Sequence, residues 1–293
     1  MSLSINFWGV RGSKPTPNKD TRLFGGNTAC VKVVAGNRTL ILDGGTGLAE
    51  LGHKMKLNKG EKTADIFFSH LHWDHIQGIP FFQPLYKAGN SFRLYGEDKN
   101  PLTFKEIITK QMSPPYFPIT MGMMQADYEF ISIKADDVIN LGEGIIIKTF
   151  ALNHPGGCLA YRIEKGDYAI VYATDTQPIL GARNNDFIKF VAGADVFIYD
   201  THFTEAEYRG EIDGESKESW GHSTWEEGIN ISQNAEVGYY VLFHYKEDRT
   251  DAEQAKIEKQ AQREYPKTVA AREGMNIIIG GDYPEKVVIN YPY

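Results

Sequence analysis

The stretch His70-Leu71-His72-Trp73-Asp74-His75 constrains this chain more than any other. It places three imidazoles and a carboxylate within six residues, directly after Ala64 to Phe68, a short apolar run that reads as a buried strand. Imidazole and carboxylate are the ligands that borderline metals such as zinc prefer. On a strand-to-helix turn, such groups can reach two neighbouring metal positions. A polar turn with incidental histidines is the competing reading. It would suit a lone histidine, but it does not suit this density.

The rest of the chain supplies a frame for such a turn. Strands are expected at Ile5 to Gly9, Cys30 to Val34 and Thr39 to Leu42, then at Gly144 to Phe150, Leu159 to Glu164, Tyr168 to Tyr172, Val196 to Tyr199 and Tyr239 to Phe243. Two more are expected near the end, at Asn276 to Ile279 and Lys286 to Asn290. Asp43-Gly44-Gly45-Thr46-Gly47 reads as a tight turn. Helices are expected at Leu48 to Met55, Thr224 to Gln233 and Ala252 to Arg272. Strands come in runs with helices between the runs, which points to an α/β sandwich and away from a regular parallel βαβ wind. There is no internal repeat or low-complexity linker, so residues 1–293 read as one domain, with a pocket or lid insertion near 101–125. The core of that insertion, Gln111 to Met124 (QMSPPYFPITMGMM), reads equally as a surface loop or as an adaptable pocket wall.

A length of 293 residues is ample for a sizeable core, and 42% hydrophobic with 24% charged residues is ordinary globular composition. No apolar run approaches the ~18 residues that a membrane span needs, and the first residues lack the pattern of a secretory leader. Two cysteines, Cys30 and Cys158, fit a reducing cytoplasm better than a disulfide framework. The formal net charge of −7 disfavours a long polyanion as substrate. A small anion remains compatible, because bound metal reverses the local field. No membrane partner is expected, and a homodimer is left open.

H-x-H-x-D-H after a buried strand resembles the signature of the metallo-β-lactamase superfamily. The resemblance implies a four-layer αββα sandwich with a metal site at one edge of its two sheets. It also implies further ligands downstream, and His154, Asp175 and His244 follow in order, each just after an expected strand. On this resemblance His70, His72 and His154 bind one divalent transition metal, while Asp74, His75 and His244 bind a second and Asp175 bridges. Zinc is the first expectation, and manganese and iron accept the same ligands. Two such ions activate a water as the nucleophile. Asp43 resembles the family's acidic residue that orients a ligand histidine, although a turn aspartate in a Gly-rich loop would look the same.

Fold alone does not choose among the chemistries of this superfamily. Tyr199-Asp200-Thr201-His202-Phe203 and Gly221-His222-Ser223-Thr224 resemble its phosphodiesterase branch, which includes ribonuclease Z and the cyclic phosphodiesterases. There a carboxylate at the position of Asp200 supports a histidine at the position of His222, which contacts the phosphate and assists the departing oxygen. With Asp74, these two complete the expected catalytic set. As a plain helix start, His222 would simply precede a Ser223 or Thr224 cap. His202 reads as structural or peripheral. Phe7 to Ser13 and Gly25-Gly26-Asn27-Thr28 also resemble this branch, with Asn27 brought near the metals. Ribonuclease Z carries a protruding arm that grips tRNA, and no long Gly-rich basic insertion is found here. The first expectation is therefore hydrolysis of a small phosphodiester, a cyclic nucleotide or other cyclic phosphate. Its base would stack on a wall of Tyr116 and Phe117 with Met112, Met121, Met123 and Met124. The alternatives are a tRNA 3′-processing endonuclease and a metal-bearing nucleotide sensor without turnover.

Overall fold

The computed structural model describes residues 2–57, 62–281, 283 and 285–292. The chain builds one sheet, moves to a second, then returns to the first. β1 (Ser2–Gly9), β2 (Cys30–Ala35), β3 (Arg38–Leu42), β4 (Thr63–Phe67), β5 (Ser91–Gly96) and β6 (Asp127–Ser132) belong to sheet one. β7 (Val138–Gly142), β8 (Ile145–Leu152), β9 (Cys158–Lys165), β10 (Tyr168–Ala173), β11 (Val196–Asp200), β12 (Tyr239–Phe243) and β13 (Thr268–Ala270) form sheet two. β14 (Asn276–Gly280) and β15 (Val287–Asn290) then close the free edge of β1 in antiparallel register. The helices are α1 (Gly47–Leu57), α2 (Trp73–Ile76), α3 (Phe104–Gln111), α4 (Ala182–Val191), α5 (Glu205–Tyr208), α6 (Trp225–Asn234) and α7 (Asp251–Glu264).

Alternation of side chains along each strand explains the layering. In β1, Leu3, Ile5 and Phe7 point into the space between the sheets, where they meet residues of sheet two such as Tyr172 and Phe243. In β3 and β4, both faces are buried. Leu40, Leu42 and Phe67 face the sandwich, while Ile41, Ile66 and Phe68 pack under α1 and α3 with Leu48, Leu51, Phe104 and Ile108. Strands covered on both sides read as continuous apolar runs, which is why Ala64 to Phe68 is apolar except for Asp65, whose carboxylate pairs with Arg38 and Arg93. α4, α6 and α7 cover sheet two through Phe187, Val191, Trp225, Ile229, Ile257 and Ala261. The result is a helix–sheet–sheet–helix sandwich.

Both sheets have a parallel half. β3, β4, β5 and β6 run parallel in sheet one. β10, β11, β12 and β13 run parallel in sheet two. Backbone groups at the carboxyl ends of such strands are released from the ladder, and this is where ligand-binding loops gather in open α/β sheets. The stretches that carry Asp43, His70, Asp175, Asp200 and His244 all leave or end strands here.

Three expectations are corrected. The expected helix Ala252 to Arg272 stops at Glu264, because Tyr265 precedes Pro266 and takes an extended conformation; the chain then forms β13. Gln111 to Met124 contributes to the core as well as the surface. Met112, Met121 and Met124 are buried under sheet one with Phe104 and Ile108, so they are not free to form a pocket wall. β5, β6, β7, α3 and α4, which the pattern reading passes over, occupy the stretches between the expected elements. Among the described residues, no helix is long and apolar enough to cross a membrane.

The tightest backbone contact in the frame is at Gly9, where β1 shifts register against β2. A Cβ there would lie 1.8 Å from the carbonyl oxygen of Thr28. Both atoms belong to backbone and neither can swing aside, so Gly9→Ala should lower stability by about 2 kcal/mol or more. Urea unfolding checks this, and an unchanged midpoint would show that the β1–β2 junction is looser than described.

Candidate metal centre

Of the eight histidines, all but His53 converge on this edge of the sandwich. His70, His72 and His154 bring one nitrogen each within 4.8 Å of one another. Asp74, His75, Asp175 and His244 form a second group on the same criterion. The two groups adjoin: the rings of His70 and His75 are 4.2 Å apart, and His70 Nε2 lies 3.8 Å from Asp175.

The donor atoms of the second group face each other in a way that calls for a cation. His75 Nε2 lies 3.2 Å from Asp74 Oδ2, 3.1 Å from Asp175 Oδ2 and 3.2 Å from His244 Nε2. His244 Nε2 is in turn 3.3 Å from Asp74 and 3.1 Å from Asp175. Two carboxylates and two ring nitrogens, all buried, converge on one point, and carboxylate and imidazole are the donors that a divalent metal takes up. In the first group, His70 Nε2 is buried with no hydrogen-bond partner. Buried polar atoms without partners are rare and costly, so these residues fit divalent metals at both positions.

Protonation follows the same division. Burial pushes the pKa of His70 well below the ordinary imidazole value and also lowers His72 and His154, so these rings are neutral and able to ligate a cation. Burial alone would depress His75 too, but the carboxylates of Asp175, Asp74 and Asp43 override it and hold this imidazole well above the ordinary value. Burial likewise opposes ionisation of Asp74 and Asp175. The neighbouring histidines prevail and hold both well below the usual carboxylate range. A cation held by the second group would take the place of a proton on His75.

Five of these seven residues, His70, Asp74, His75, His154 and Asp175, are held by a hydrogen-bond partner outside the cluster, while His244 Nδ1 is buried without one. Asp43 is fully buried at the end of β3, with a φ of 61°. Its Oδ2 lies 2.8 Å from His75 Nδ1, which leaves Nε2 to face the metal site. Asp43 also accepts hydrogen bonds from Ser69 N, Ser69 Oγ and the hydroxyl of Tyr172. Ser69 Oγ lies 3.1 Å from His70 Nδ1. His154 Nδ1 donates to the Gly221 carbonyl at 2.7 Å, leaving Nε2 3.1 Å from His72 Nδ1. Thr174 Oγ1 donates to Asp175 at 2.7 Å. The N-terminal turn closes the other side. Ser13 N donates to Asp74 Oδ2 at 2.8 Å, and Gly12 packs so tightly that a Cβ would lie 2.4 Å from the His244 ring.

Asp200 and His222 stand beside this cluster. His222 Nδ1 is 2.9 Å from Asp200 Oδ2. The His222 ring lies 5.5 Å from that of His154 and 5.2 Å from that of His244. Burial opposes the charged form of His222, but the Asp200 carboxylate more than compensates and raises its pKa to about 9. His202 is less peripheral than expected. The chain does turn after β11, yet the buried His202 ring stacks on His222 at 4.3 Å and 18°, and Nδ1 reaches the His244 carbonyl at 3.2 Å.

The expected substrate residues are placed elsewhere. Asn27 is occupied with Glu273: its backbone N–H and side-chain amide donate to the two carboxylate oxygens at 2.6 and 3.1 Å. It braces the N-terminal turn and does not face the metals. Tyr116 is exposed, and Phe117 packs edge-on against Phe81 with centroids 5.7 Å apart. The described hydrogen bonds and ring contacts of the ligand set involve neither. Ser69 and Tyr172 are site residues that the sequence reading does not single out; Ser69 carries a local signal, as a hydroxyl directly before His70. The Phe7 to Ser13 turn resembles a stretch that brings backbone near the metal site, and Ser13 N is the backbone group that reaches Asp74.

The Asp43 contacts predict a specific defect. Asp43→Asn keeps the shape but leaves His75 Nδ1 without its carboxylate partner, and zinc affinity should fall about 10- to 100-fold. Competition titration with a chromogenic chelator measures this, with circular dichroism as the check on folding. Undiminished affinity would mean that Asp43 serves the fold alone.

Comparison with known proteins agrees with this geometry. Residues 38–245 match the family model described as the beta-lactamase superfamily domain. Ribonuclease Z of Gemmatimonas aurantiaca is 24% identical over 335 aligned positions, covering 94% of this chain and 96% of that protein. The aligned region is longer than the chain itself, so that relative carries segments absent here. Among solved structures, the metallo-beta-lactamase fold protein YhfI from Bacillus subtilis superposes with a TM-score of 0.68 at 20% identity, covering 94% of this chain and 99% of that one. Human tRNase Z, short form, superposes with a TM-score of 0.65 at 18% identity, covering 94% and 98%. With the αββα architecture and the two ligand groups already in place, the family match settles the assignment: the chain belongs to the beta-lactamase superfamily and is a metal-dependent hydrolase.

Proposed function

We propose that the chain is a dinuclear-metal phosphodiesterase that processes RNA in the manner of ribonuclease Z. The observation that carries the phosphodiester chemistry is the Asp200–His222 pair beside the two ligand groups. Cleavage of a phosphodiester releases an alkoxide, a poor leaving group until it is protonated. A histidine with a pKa of about 9 holds a proton at neutral pH and can pass it to that oxygen. Asp200 accepts from His222 Nδ1, so Nε2 is the atom available to the substrate, and the imidazolium also offsets phosphate charge. His202, stacked against the opposite ring, limits the orientations that His222 can adopt. Divalent metals held by the seven ligands would polarise the phosphoryl group and lower the pKa of the attacking water.

Relatives named ribonuclease Z match over nearly the whole chain, which supports the RNA-processing reading over the cyclic-nucleotide reading that the sequence first suggests. The small cyclic phosphodiester stays as a second reading for two reasons. The net charge is −7, and the ribonuclease relative carries segments absent here. A metal-replete panel of pre-tRNA and cyclic nucleotides separates the two. Cleavage of pre-tRNA near its 3′ end is the expected result, and hydrolysis of cyclic nucleotides alone would transfer the assignment to the second reading.

The role of His222 predicts a contrast between substrates. His222→Ala should retain its metals and lose about 100-fold or more in kcat on an alkoxide-leaving substrate. The loss should be under about tenfold on bis-(p-nitrophenyl) phosphate, whose leaving group needs little protonation. Equal losses would leave His222 only a binding or structural role. The pH profile gives a second check. The proton on His222 is lost as pH rises through about 9, so the alkaline limb for the alkoxide-leaving substrate should lie in that region. Asp200→Asn removes the group that raises this pKa, and the limb should move to lower pH. A limb that stays in place would show that another group sets it.

A further inference from the structure

On the reading that this centre cleaves RNA, we infer that Trp73 and Trp220 are stacking surfaces for the nucleobases on either side of the scissile phosphate. Trp73 is 82% exposed and Trp220 is 51% exposed. Indoles this open forgo a large burial gain, and their flat apolar faces are available to a ligand.

Their position singles them out. Trp73 lies between two ligands, His72 and Asp74, and is the first residue of α2. That short helix turns Asp74, His75 and Ile76 inward and leaves the indole outside. Trp220 precedes Gly221, whose carbonyl accepts from His154 Nδ1, and lies two residues before His222. His72 and His154 are themselves 3.1 Å apart. Trp73 follows His72 in the chain and Trp220 precedes Gly221, and His72, His154 and Gly221 are joined by contacts. The two tryptophans are thus the chain neighbours of the His72–His154 edge, and His72 is exposed to solvent there. A diester approaching from solvent meets this edge with its two nucleosides directed to either side.

The Trp220 flank is also held firmly. Ser219 and Gly221 have φ of 72° and 87°, and a Cβ on Gly221 would lie 2.4 Å from His154 Nδ1. The Lys217 ammonium lies 4.8 Å from the indole centroid, and Phe203 meets it edge-on at 6.4 Å. These contacts fix the ring while half of it stays open. A chain with a net charge of −7 gains little from general attraction to a polyanion, so base stacking supplies affinity that electrostatics does not.

The test uses the zinc-loaded protein and two probes: a 2′-O-methyl phosphorothioate dinucleotide that resists cleavage, and its abasic analogue with the same backbone. Trp73→Ala and Trp220→Ala should each weaken dinucleotide binding roughly 5- to 100-fold, the range expected for loss of one base stack. Abasic affinity and zinc content should hold, and Trp→Tyr at either position should restore much of the loss. Equal weakening for both probes would overturn the inference, because the indoles would then be supporting the loops. Unchanged binding with an altered mass on size-exclusion chromatography would also overturn it, in favour of a contact between copies of the chain. The RNA-processing reading fails on a different result, an absence of phosphodiester cleavage. A protein that cleaves nothing, yet shows base-dependent binding lost in Trp73→Ala, would still support the stacking surfaces.

Discussion

The buried carboxylate of Asp43 is the constraint on which the metal edge depends. It sits at the end of β3 in sheet one and takes hydrogen bonds from both sides of the sandwich. Ser69 and His75 reach it from the loop and helix after β4, and Tyr172 reaches it from β10 in sheet two. An isolated carboxylate at this depth would be prohibitively costly, and these four contacts are what make it tolerable. Burial, helped by Asp43, pushes the Tyr172 hydroxyl well above the ordinary phenol value, so it remains a donor. One side chain therefore joins the two sheets, fixes the nitrogen that His75 presents, and holds the start of the ligand loop through Ser69.

The rest of the site extends the same principle. Parallel strands from both sheets end at one edge, and short connections place ligands on rigid supports. Close backbone approaches do the remaining work: Gly12 lies against His244 and Gly221 against His154, where any side chain would collide with the imidazole. The outcome is a graded electrostatic field. Three neutral imidazoles form one group, while two carboxylates with His75 and His244 form the other. His222, whose pKa Asp200 raises to about 9, stands next to both.

Much of this was legible in the sequence because the chemistry is local. His70, His72, Asp74 and His75 are contiguous, and His154, Asp175, Asp200 and His244 each lie at or just after a strand end. The supporting groups were harder to see, because they act across the sandwich. Nothing near Tyr172 indicates that its hydroxyl meets Asp43, and the Phe7 to Ser13 turn suggests only that backbone approaches the site, not that Ser13 N bonds Asp74. His202 was underestimated for the same reason, since its stacking on His222 depends on how two separate loops meet. Composition misled at Gln111 to Met124, where an apparently adaptable wall is partly core: Met112, Met121 and Met124 are consumed by packing under sheet one. The end of α7 is marked in the sequence by Pro266, which disfavours a helical Tyr265.

The most direct test of the account is the anomalous scattering of a crystal grown with zinc and measured at the zinc edge. The account predicts two peaks per chain, one among His70, His72 and His154 and the other among Asp74, His75, Asp175 and His244. A map with no peak at these residues, or with its only strong peak among His202, His222 and His244, would contradict it.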